Sequence, residues 1–495
     1  MRLSQLLHGV AHTAEHFTDV PVSDLAYDSR KVSGGSVFFC LTGAQADGHA
    51  FAQSAVQSGA CALVVEHPVQ LETTVPVICV QNARLALAQM SAAFFAHPAA
   101  QLSVIGITGT KGKTTTAAML RSILQQANLP TGVIGTVGVQ IGNTITPTAN
   151  TTPESYELQK ALRQMVDAGC KAAILEASSI GLRAHRTAGM TFAVGVFTNF
   201  SQDHIGGVEH RDMHEYLRCK QLLFQQSCVA AVNCDDAVHT QILSGSACTE
   251  TCTYGFSPQA DFRAQNEQLL RRSGSLGVGF SLQSARFSGP IEVPIPGSFS
   301  VYNALAAISA ASFFPQVQLS HLQAGLSAVH VRGRVEPVPV SGDYTLLIDY
   351  AHNAMSMQSL LQTLRAYRPN RLICLFGAGG NRSKTRRFEV GEVCGKLADL
   401  SVITADNSRF EPTEDILKDI QTGLNKTGGA YVAIPDRREA IAYCMQHAQP
   451  GDIIVLAGKG HEDYQEIGGI KHPFDERQIV LELDRIQSAQ SASPR

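Results

Sequence analysis

The chain has 495 residues, 44% hydrophobic and 16% charged, with a net charge of −3. That length allows about three domains of roughly 100–200 residues, and that composition excludes a disordered chain. The charge lacks the basic footprint of a nucleic-acid binder, and no apolar run approaches the ~18 residues of a membrane span.

Along the chain, MRLSQLLHGVAHTAEHF has no sustained apolar core or cleavage site, so it predicts a first helix and not a signal peptide. GSVFFCLTG (35–43) and CALVVE (61–66) predict short strands, and HAFAQSAVQSGA (49–60) a helix closed by Gly59. A second block opens with the strand LSVIGIT (102–108), a Gly-rich turn and a helix from about Lys113 to Ala127. AAILEAS (172–178), FAVGVFTNF (192–200) and CVAAVNCDD (228–236) then alternate with helical segments, the signature of a mainly parallel sheet covered on both faces. Residues 262–295 predict an antiparallel hairpin insertion. The third block begins near VRGRVEPV (331–338), and its five apolar runs each end in a polar or Gly-rich loop. In such sheets ligands bind beyond the carboxyl ends of the strands. The expectation is an α/β chain of three domains, residues 1–100, 101–331 and 332–495, with a frayed tail. The twelve cysteines contain no C-x-x-C, so reduced thiols are expected in place of zinc or disulfides.

The chemistry starts at GITGTKGKTTTAA (106–118). Ile107 stands where the strict phosphate-loop pattern wants its first Gly. Strand, turn, Gly-Lys-Thr-Thr and helix still gather backbone N–H groups around an anion. Lys113 then reaches the β/γ-phosphates and the Thr114 hydroxyl suits Mg²⁺. Glu176 ends an apolar strand, placed for Mg²⁺; a helix cap is the other reading. His204 follows another apolar strand, where a lone His is commonly structural.

TGTKGKTT resembles the nucleotide loop of the Mur ligases, T-G-T-x-G-K-T/S, which itself lacks the early Gly. YDSRKVSGGSVFFCLTGAQADGHAF, NTTPES, EASSIGLRAHR, TNFSQDHIGGVEHRDMHEYLRCKQLLF, GSFSVYNALAA, GRVE, DYAHNAMS, GAGGNRSKTRR, DNSRFE and GKGHEDYQ extend the resemblance over nearly the whole chain. Their order is that of the MurE group, which joins a third amino acid to UDP-N-acetylmuramoyl-L-alanyl-D-glutamate. The resemblance implies a cytoplasmic, ATP- and Mg²⁺-dependent amide ligase working through an acyl phosphate. It implies an N-domain for the UDP-substrate, a central ATPase domain and a Rossmann-like C-domain for the amino acid. Small-molecule substrates, a monomer, no nucleic acid and no membrane insertion follow from it.

By that resemblance Lys113, Glu176, His204 and Lys220 are catalytic. Thr114, Glu176, His204 and a carbamylated Lys220 hold magnesium. ATP is met by Gly109, Thr110, Lys111, Gly112, Lys113, Thr114, Thr115, Asn303, Arg334, Asp349 and His352. Lys111 is either a phosphate contact or a solvated loop residue. The UDP-substrate falls to Ser29, Ala44, Gln45, Ala46, Asn150, Thr151, Thr152, Ser178 and Arg186, and the amino acid to Arg382, Asp406, Asn407, Ser408, Arg409, Gly458 and Glu462.

Three positions depart from the family's pattern. Ala184 removes a polar contact, Ala354 replaces a Pro and loosens its turn, and Ser408 replaces the Pro of D-N-P-R. The retained Arg409 would pair bidentately with a distal carboxylate. Buried against lysine it would lack a counter-ion, which favours meso-diaminopimelate over L-lysine. A hinge near Arg332–Gly333 is expected to let the C-domain close. Two other readings are a folylpolyglutamate-type ligase, opposed by the DSR…DGH N-domain, and a non-catalytic nucleotide-binding regulator, opposed by the intact Lys113, Thr114, Glu176, His204 and Lys220.

Overall fold

The computed structural model describes residues 1–43, 46–71, 74–202, 205–206, 209–272 and 274–492. They form two compact units. The first holds residues 1–263, 284–287 and 302–325, and the second 264–283, 288–301 and 326–495.

The first unit contains two sheets. Strands β1 (Thr13–Glu15), β2 (Asp24–Ala26), β3 (Ser36–Phe39), β4 (Ala62–Val65) and β5 (Val77–Cys79) lie in the order β1-β5-β4-β3-β2. All neighbours are parallel except β1 with β5. The long first helix expected from the sequence is only Leu3–Leu6. Gly9 at φ +80° turns the chain, and residues 13–15 leave as an edge strand. Leu3 and Leu6 bury against Val37, Phe39, Val64 and Ile78. The helix expected over 49–60 divides into a 3-10 turn, Gly48–Phe51, and the helix Ala52–Gln57.

The larger sheet has β6 (Ser103–Thr108), β7 (Thr131–Gly135), β8 (Gly138–Ile141), β9 (Thr144–Thr146), β10 (Ala172–Glu176), β11 (Phe192–Phe197), β12 (Ser227–Asn233) and β13 (Glu250–Gly255), in the order β13-β12-β11-β6-β10-β7-β8-β9. It is parallel from β13 to β7, and antiparallel hairpins add β8 and β9. Every residue of β10 is buried, as a strand covered on both faces requires. The carboxyl ends of β6, β10 and β11, neighbours in this order, carry the loop, Glu176 and Thr198–Asn199.

Strand β14 (Phe262–Arg272) begins in the first unit and continues into the second. There β15 (Ser275–Gln283) and β16 (Ser288–Val293) pair antiparallel, so the expected hairpin is a three-stranded meander. It packs with the C-terminal segment. Leu276 shares a core with Leu347 and Phe376, Arg271 donates to the carbonyls of Tyr367, Arg368 and Gly451, and the Tyr367 hydroxyl donates to Gly277 O at 2.6 Å.

The second unit's main sheet comprises β17 (Glu336–Val338), β18 (Thr345–Asp349), β19 (Leu372–Phe376), β20 (Leu400–Ile403), β21 (Tyr431–Ala433) and β22 (Ile453–Ala457), ordered β17-β18-β22-β19-β20-β21. Only β17 is antiparallel to its neighbour. All five expected strands are present. Strands β23 (Tyr464–Ile467) and β24 (Ile470–Pro473) form a separate hairpin. Its turn residues Gly468 and Gly469 both have positive φ, +59° and +78°, as a type I′ turn demands.

Arg332 and Gly333 lie inside the second unit, Arg332 paired with Asp475 at 2.9 Å. A Cβ on Gly333 would stand 2.2 Å from His461 N. One expectation needs correction: Ala354 does not loosen its turn. It opens the helix Ala354–Ala366, and Asn353 caps that helix: Ser356 N–H donates to Asn353 Oδ1 at 2.9 Å and Asn353 N–H to Ser356 Oγ at 3.3 Å. The reciprocal pair does what a first-turn Pro does elsewhere. Asn353→Ala is expected to lower stability by about 1 kcal/mol, read as a lower urea midpoint.

Candidate active site

In the first unit β6 ends at Thr108 and the helix Lys113–Gln126 starts after Gly112. Two glycines are required sterically. Gly109 has φ +150°, and a Cβ there would overlap Thr198 Oγ1 at 1.9 Å. Gly112 has φ +86°, with Asn303 Oδ1 2.3 Å from its hypothetical Cβ. The turn is also held from β11: Lys111 N–H donates to Asn199 Oδ1 at 3.0 Å, while Thr198 Oγ1 and Asn199 Nδ2 donate to Lys111 O at 2.7 and 3.0 Å. The backbone of Lys111 is therefore fixed from both sides, a structural use of this position independent of its charge.

Lys113 Nζ donates to Gly109 O at 2.9 Å and Thr110 O at 3.1 Å, which folds the ammonium over the turn. Thr114 Oγ1 donates to Glu176 Oε2 at 2.8 Å. Glu176 is 2% exposed and also accepts from Thr136 N–H at 3.0 Å and Thr136 Oγ1 at 3.2 Å. Thr136 Oγ1 lies 3.1 Å from Thr151 Oγ1. These bonds hold Glu176 as an oriented acceptor, which a solvent-facing helix cap would not be. The buried Lys220 Nζ is 2.8 Å from Gly109 O and 4.3 Å from the centroid of the Tyr216 ring. Thr115 is buried in the first helical turn, and Thr116 Oγ1 meets Asn303 Oδ1 at 3.4 Å. The loop, Glu176, Lys220 and Asn303 thus come together. His204 lies outside the described residues.

The adjoining substrate positions form a second network. Ser178 caps the helix Ser179–Arg183 by accepting from Gly181 N–H at 3.1 Å. Thr152 Oγ1 donates to Glu176 O at 2.7 Å and accepts from Ser178 N–H at 2.9 Å. Arg186 donates to Thr152 O at 2.8 Å and to Glu154 at 2.7 Å, and Arg84 meets the same Glu154 at 3.2 Å. Arg186 is anchored although Ala184 offers no polar contact. Asn150 is exposed beside Thr151, Ser29 begins a 3-10 turn capped by Asp28, and Ala46 is exposed. Ala44 and Gln45 lie outside the described residues.

After them come Asp47, His49 and His67, whose polar atoms lie within 4.8 Å of one another. They do not make a metal centre. Glu66 N–H donates to His49 Nε2 at 3.0 Å, so the ring proton sits on Nδ1 and donates to Asp47 at 2.6 Å. His49 has no lone pair left. The DGH motif is a brace.

In the second unit Asp349 ends β18. Its oxygens accept from Val335 N–H at 2.9 Å and Ala351 N–H at 2.7 Å. Burial raises its pKa, and the Arg334 charge works against that rise. The Arg334 guanidinium stacks 4.9 Å over the Tyr350 ring. His352 is exposed, with Nδ1 2.8 Å from Tyr350 O. His461 has its pKa lowered to about 4, first by burial and then by Arg334 and Arg332.

The expected amino-acid residues cluster beyond β20 and β22. Asn407 Nδ2 donates to Glu462 Oε2 at 2.9 Å. A Cβ on Gly458 would stand 2.7 Å from Asp406 Oδ2. Ser408 is buried, its carbonyl 1.8 Å from where Gly380 would carry a Cβ. Arg382 is exposed on the Gly379–Gly380 turn. Arg409 requires a correction. It is 26% exposed and has a counter-ion, Glu466, at 3.2 Å from Nε; Nη1 donates to Gly380 O at 2.9 Å. Only Nη2 is unengaged among the described residues, so the guanidinium does not present an open two-nitrogen fork, and the argument from an unpaired buried charge does not hold.

Four contributors went unnoticed in the sequence. Thr136 orients Glu176. Lys459, fully buried, reaches Asn407 Oδ1 at 3.1 Å and Glu462 Oε2 at 3.3 Å; its place inside GKGHE was a signal. Arg437 donates to the carbonyls of Ala405 and Ala457, just before Asp406 and Gly458. Glu466 precedes a Gly-Gly hairpin signal.

Three family patterns match this chain: Mur ligase family, catalytic domain, over residues 21–95; Mur ligase middle domain over 107–311; and Mur ligase, glutamate ligase domain, over 333–460. A relative from Caldanaerobacter subterraneus subsp. tengcongensis, named UDP-N-acetylmuramoyl-L-alanyl-D-glutamate–2,6-diaminopimelate ligase, is 41% identical over 98% of this chain and 99% of its own length.

The chain belongs to the Mur ligase family.

A second Mur ligase of the same name, from Geobacillus kaustophilus, is 39% identical over 97% of this chain and 98% of its own. A solved structure of a ligase of that name is similar with a TM-score of 0.70 at 31% identity, covering 94% of this chain and 96% of that one. The expected three-domain Mur ligase architecture and the expectation of a ligase are borne out. Among the described residues no helix is long and apolar enough to cross a membrane.

Proposed function

We propose that this Mur ligase adds meso-diaminopimelate to UDP-N-acetylmuramoyl-L-alanyl-D-glutamate, with ATP, as a cytoplasmic monomer making peptidoglycan precursors. The observation that carries the ligase chemistry is the loop–helix junction with Lys113 folded over the turn and Thr114 2.8 Å from Glu176. The choice of amino acid is supported by the names of the two relatives and by the charged side chains of the 406–409 and 458–466 segments.

An amide forms from a carboxylate only after activation. The substrate carboxylate attacks the γ-phosphorus of ATP, releasing ADP and leaving an acyl phosphate. The amine attacks the acyl carbon, and the tetrahedral intermediate collapses with loss of phosphate. Loop N–H groups and Lys113 meet negative charge as it shifts onto the leaving diphosphate. Thr152, Ser178 and Arg186 orient the substrate peptide.

The Thr114 hydroxyl and Glu176 carboxylate are hard oxygen donors that fit Mg²⁺, with His204 and Lys220 as further ligands. A bound ion would neutralise phosphate charge. An ammonium has no lone pair, so Lys220 serves only as a carbamate, formed when its neutral amine adds CO₂ and loses a proton. On the second unit Arg334, Asp349 and His352 are the proposed nucleotide contacts. The proposed domains are residues 1–100, 101–331 and 332–495.

The test is phosphate release with ATP, Mg²⁺ and the UDP-substrate, comparing meso-diaminopimelate with L-lysine. A strong preference for diaminopimelate is expected, and a preference for lysine would overturn the assignment. Arg409→Ala should raise KM for diaminopimelate by roughly 10–100-fold, the loss of a charge-assisted hydrogen bond, with KM for ATP unchanged.

A further inference from the structure

We infer that His210 is a positioning residue for the UDP-substrate, pinning the short helix that starts beside Ser178 and leads into Arg186. The inference rests on the proposed function.

The helix Ser179–Arg183 has five residues, too few to hold helical form unaided, so its neighbours decide where it lies. Ser178 caps it, and Arg186 N–H donates to Gly181 O at 3.0 Å. Two residues proposed to orient the substrate peptide therefore take their places from this one element. The segment 209–215 grips the helix at both ends. At its start His210 Nε2 shares a hydrogen bond of 2.8 Å with Ser179 Oγ. At its close Arg183 donates to Glu209 O and meets Glu215 at 3.4 Å.

The two grips are not equal. The Arg183 side chain is 37% exposed and its pair with Glu215 is long, a contact of the kind that contributes little. His210 is 2% exposed and Ser179 5%. Among the described residues His210 alone hydrogen-bonds the Ser179 hydroxyl. Removing either partner leaves a buried polar group unsatisfied, which costs its full desolvation.

The other side of the imidazole stands on the helix Met213–Phe224. Nδ1 lies 3.9 Å from Cys219 Sγ, and the ring meets Tyr216 with centroids 5.0 Å apart. That helix is tied in turn to the nucleotide loop: Lys220 Nζ is 2.8 Å from Gly109 O, and the Tyr216 hydroxyl donates to Thr110 Oγ1 at 3.3 Å. The backbone of His210 is held as well, its carbonyl accepting from Gly206 N–H at 2.8 Å. The imidazole thus bridges the helix bonded to the loop and the helix that orients the substrate. It acts through Ser179 and sets one element against the other.

The experiment measures phosphate release by wild type, Ser179→Ala, His210→Asn, His210→Gln and the double variant Ser179→Ala/His210→Asn, varying ATP and the UDP-substrate in turn. Ser179→Ala removes one oxygen, and a thermal melt checks that each variant folds. Ser179→Ala should raise KM for the UDP-substrate about 10-fold and leave KM for ATP within about two-fold. Gln carries its amide nitrogen out to where Nε2 stands and should stay within about three-fold of wild type, whereas Asn reaches only as far as Nδ1 and should match Ser179→Ala. The double variant should be no worse than either single change, because both remove the same bond. Additive losses would overturn the inference, as would a parallel rise in KM for ATP, equal behaviour of Asn and Gln, or an unchanged KM in Ser179→Ala. A wild-type enzyme inactive on the UDP-substrate overturns the proposed function and this inference together, a different result from an active enzyme indifferent to Ser179→Ala.

Discussion

Lys113→Met is expected to lower turnover about 10³-fold, or roughly 4 kcal/mol of transition-state stabilisation. The ammonium is held by two carbonyls of its own loop, Gly109 O and Thr110 O. It therefore stands over the turn, where developing phosphate charge falls. Methionine keeps the length and the helix propensity and removes only the charge and its donors. Lys113→Arg should recover little, because a planar fork cannot address two carbonyls of one tight turn as a compact ammonium does. Steady-state phosphate release measures the effect, with a thermal melt as control for folding. A turnover within ten-fold of wild type would remove Lys113 from the chemistry.

The parts of this site that were legible in the sequence are those where local pattern and chemistry coincide. The run 102–108, the glycines at 109 and 112 and the helix from Lys113 follow from periodicity and turn chemistry. Glu176 was found because an apolar strand must end where ligands bind. The five C-terminal strands were visible for the same reason. What escaped depends on partners distant in sequence. Nothing in residues 262–295 announces that Arg271 will bond the carbonyls of Tyr367 and Gly451, so the insertion read as an appendage of the central block. Arg437 and Lys459 are of residue types that are usually solvated, and only the fold buries them. The hairpin at 464–473 carried a Gly-Gly signal, but β23 is half-buried without alternation, so its strands gave no period. Glu466, and with it the counter-ion of Arg409, was invisible for that reason.

Arg437→Met is expected to destabilise the second unit by about 3–5 kcal/mol, lowering its melting temperature on the order of 10 °C. Arg437 and Glu476 form an ion pair at 2.8 Å with side chains 0% and 2% exposed. Truncating one partner strands a carboxylate away from water. The wild-type Glu476 carboxyl already has its pKa raised by burial, with Arg437 as the main opposing influence; without Arg437 the rise should grow. A carboxyl whose pKa is higher folded than unfolded stabilises the fold below its unfolded pKa. That contribution is lost as pH rises through the folded pKa. The variant's deficit should therefore be larger at pH 8 than at pH 5, which urea or thermal melts at the two pH values would read. Arg437→Met combined with Glu476→Leu should recover most of the loss, since two apolar groups leave no buried charge. An equal deficit at both pH values would mean that the stranded carboxyl does not titrate between them. The consequence reaches the pocket as well. The Arg437 guanidinium holds the carbonyls of Ala405 and Ala457 at 3.1 and 2.9 Å, so the double variant, restored in stability, should still show a raised KM for the amino acid. Separating those two readouts would show that this buried pair sets the spacing of the Asp406 and Gly458 loops in addition to holding the fold.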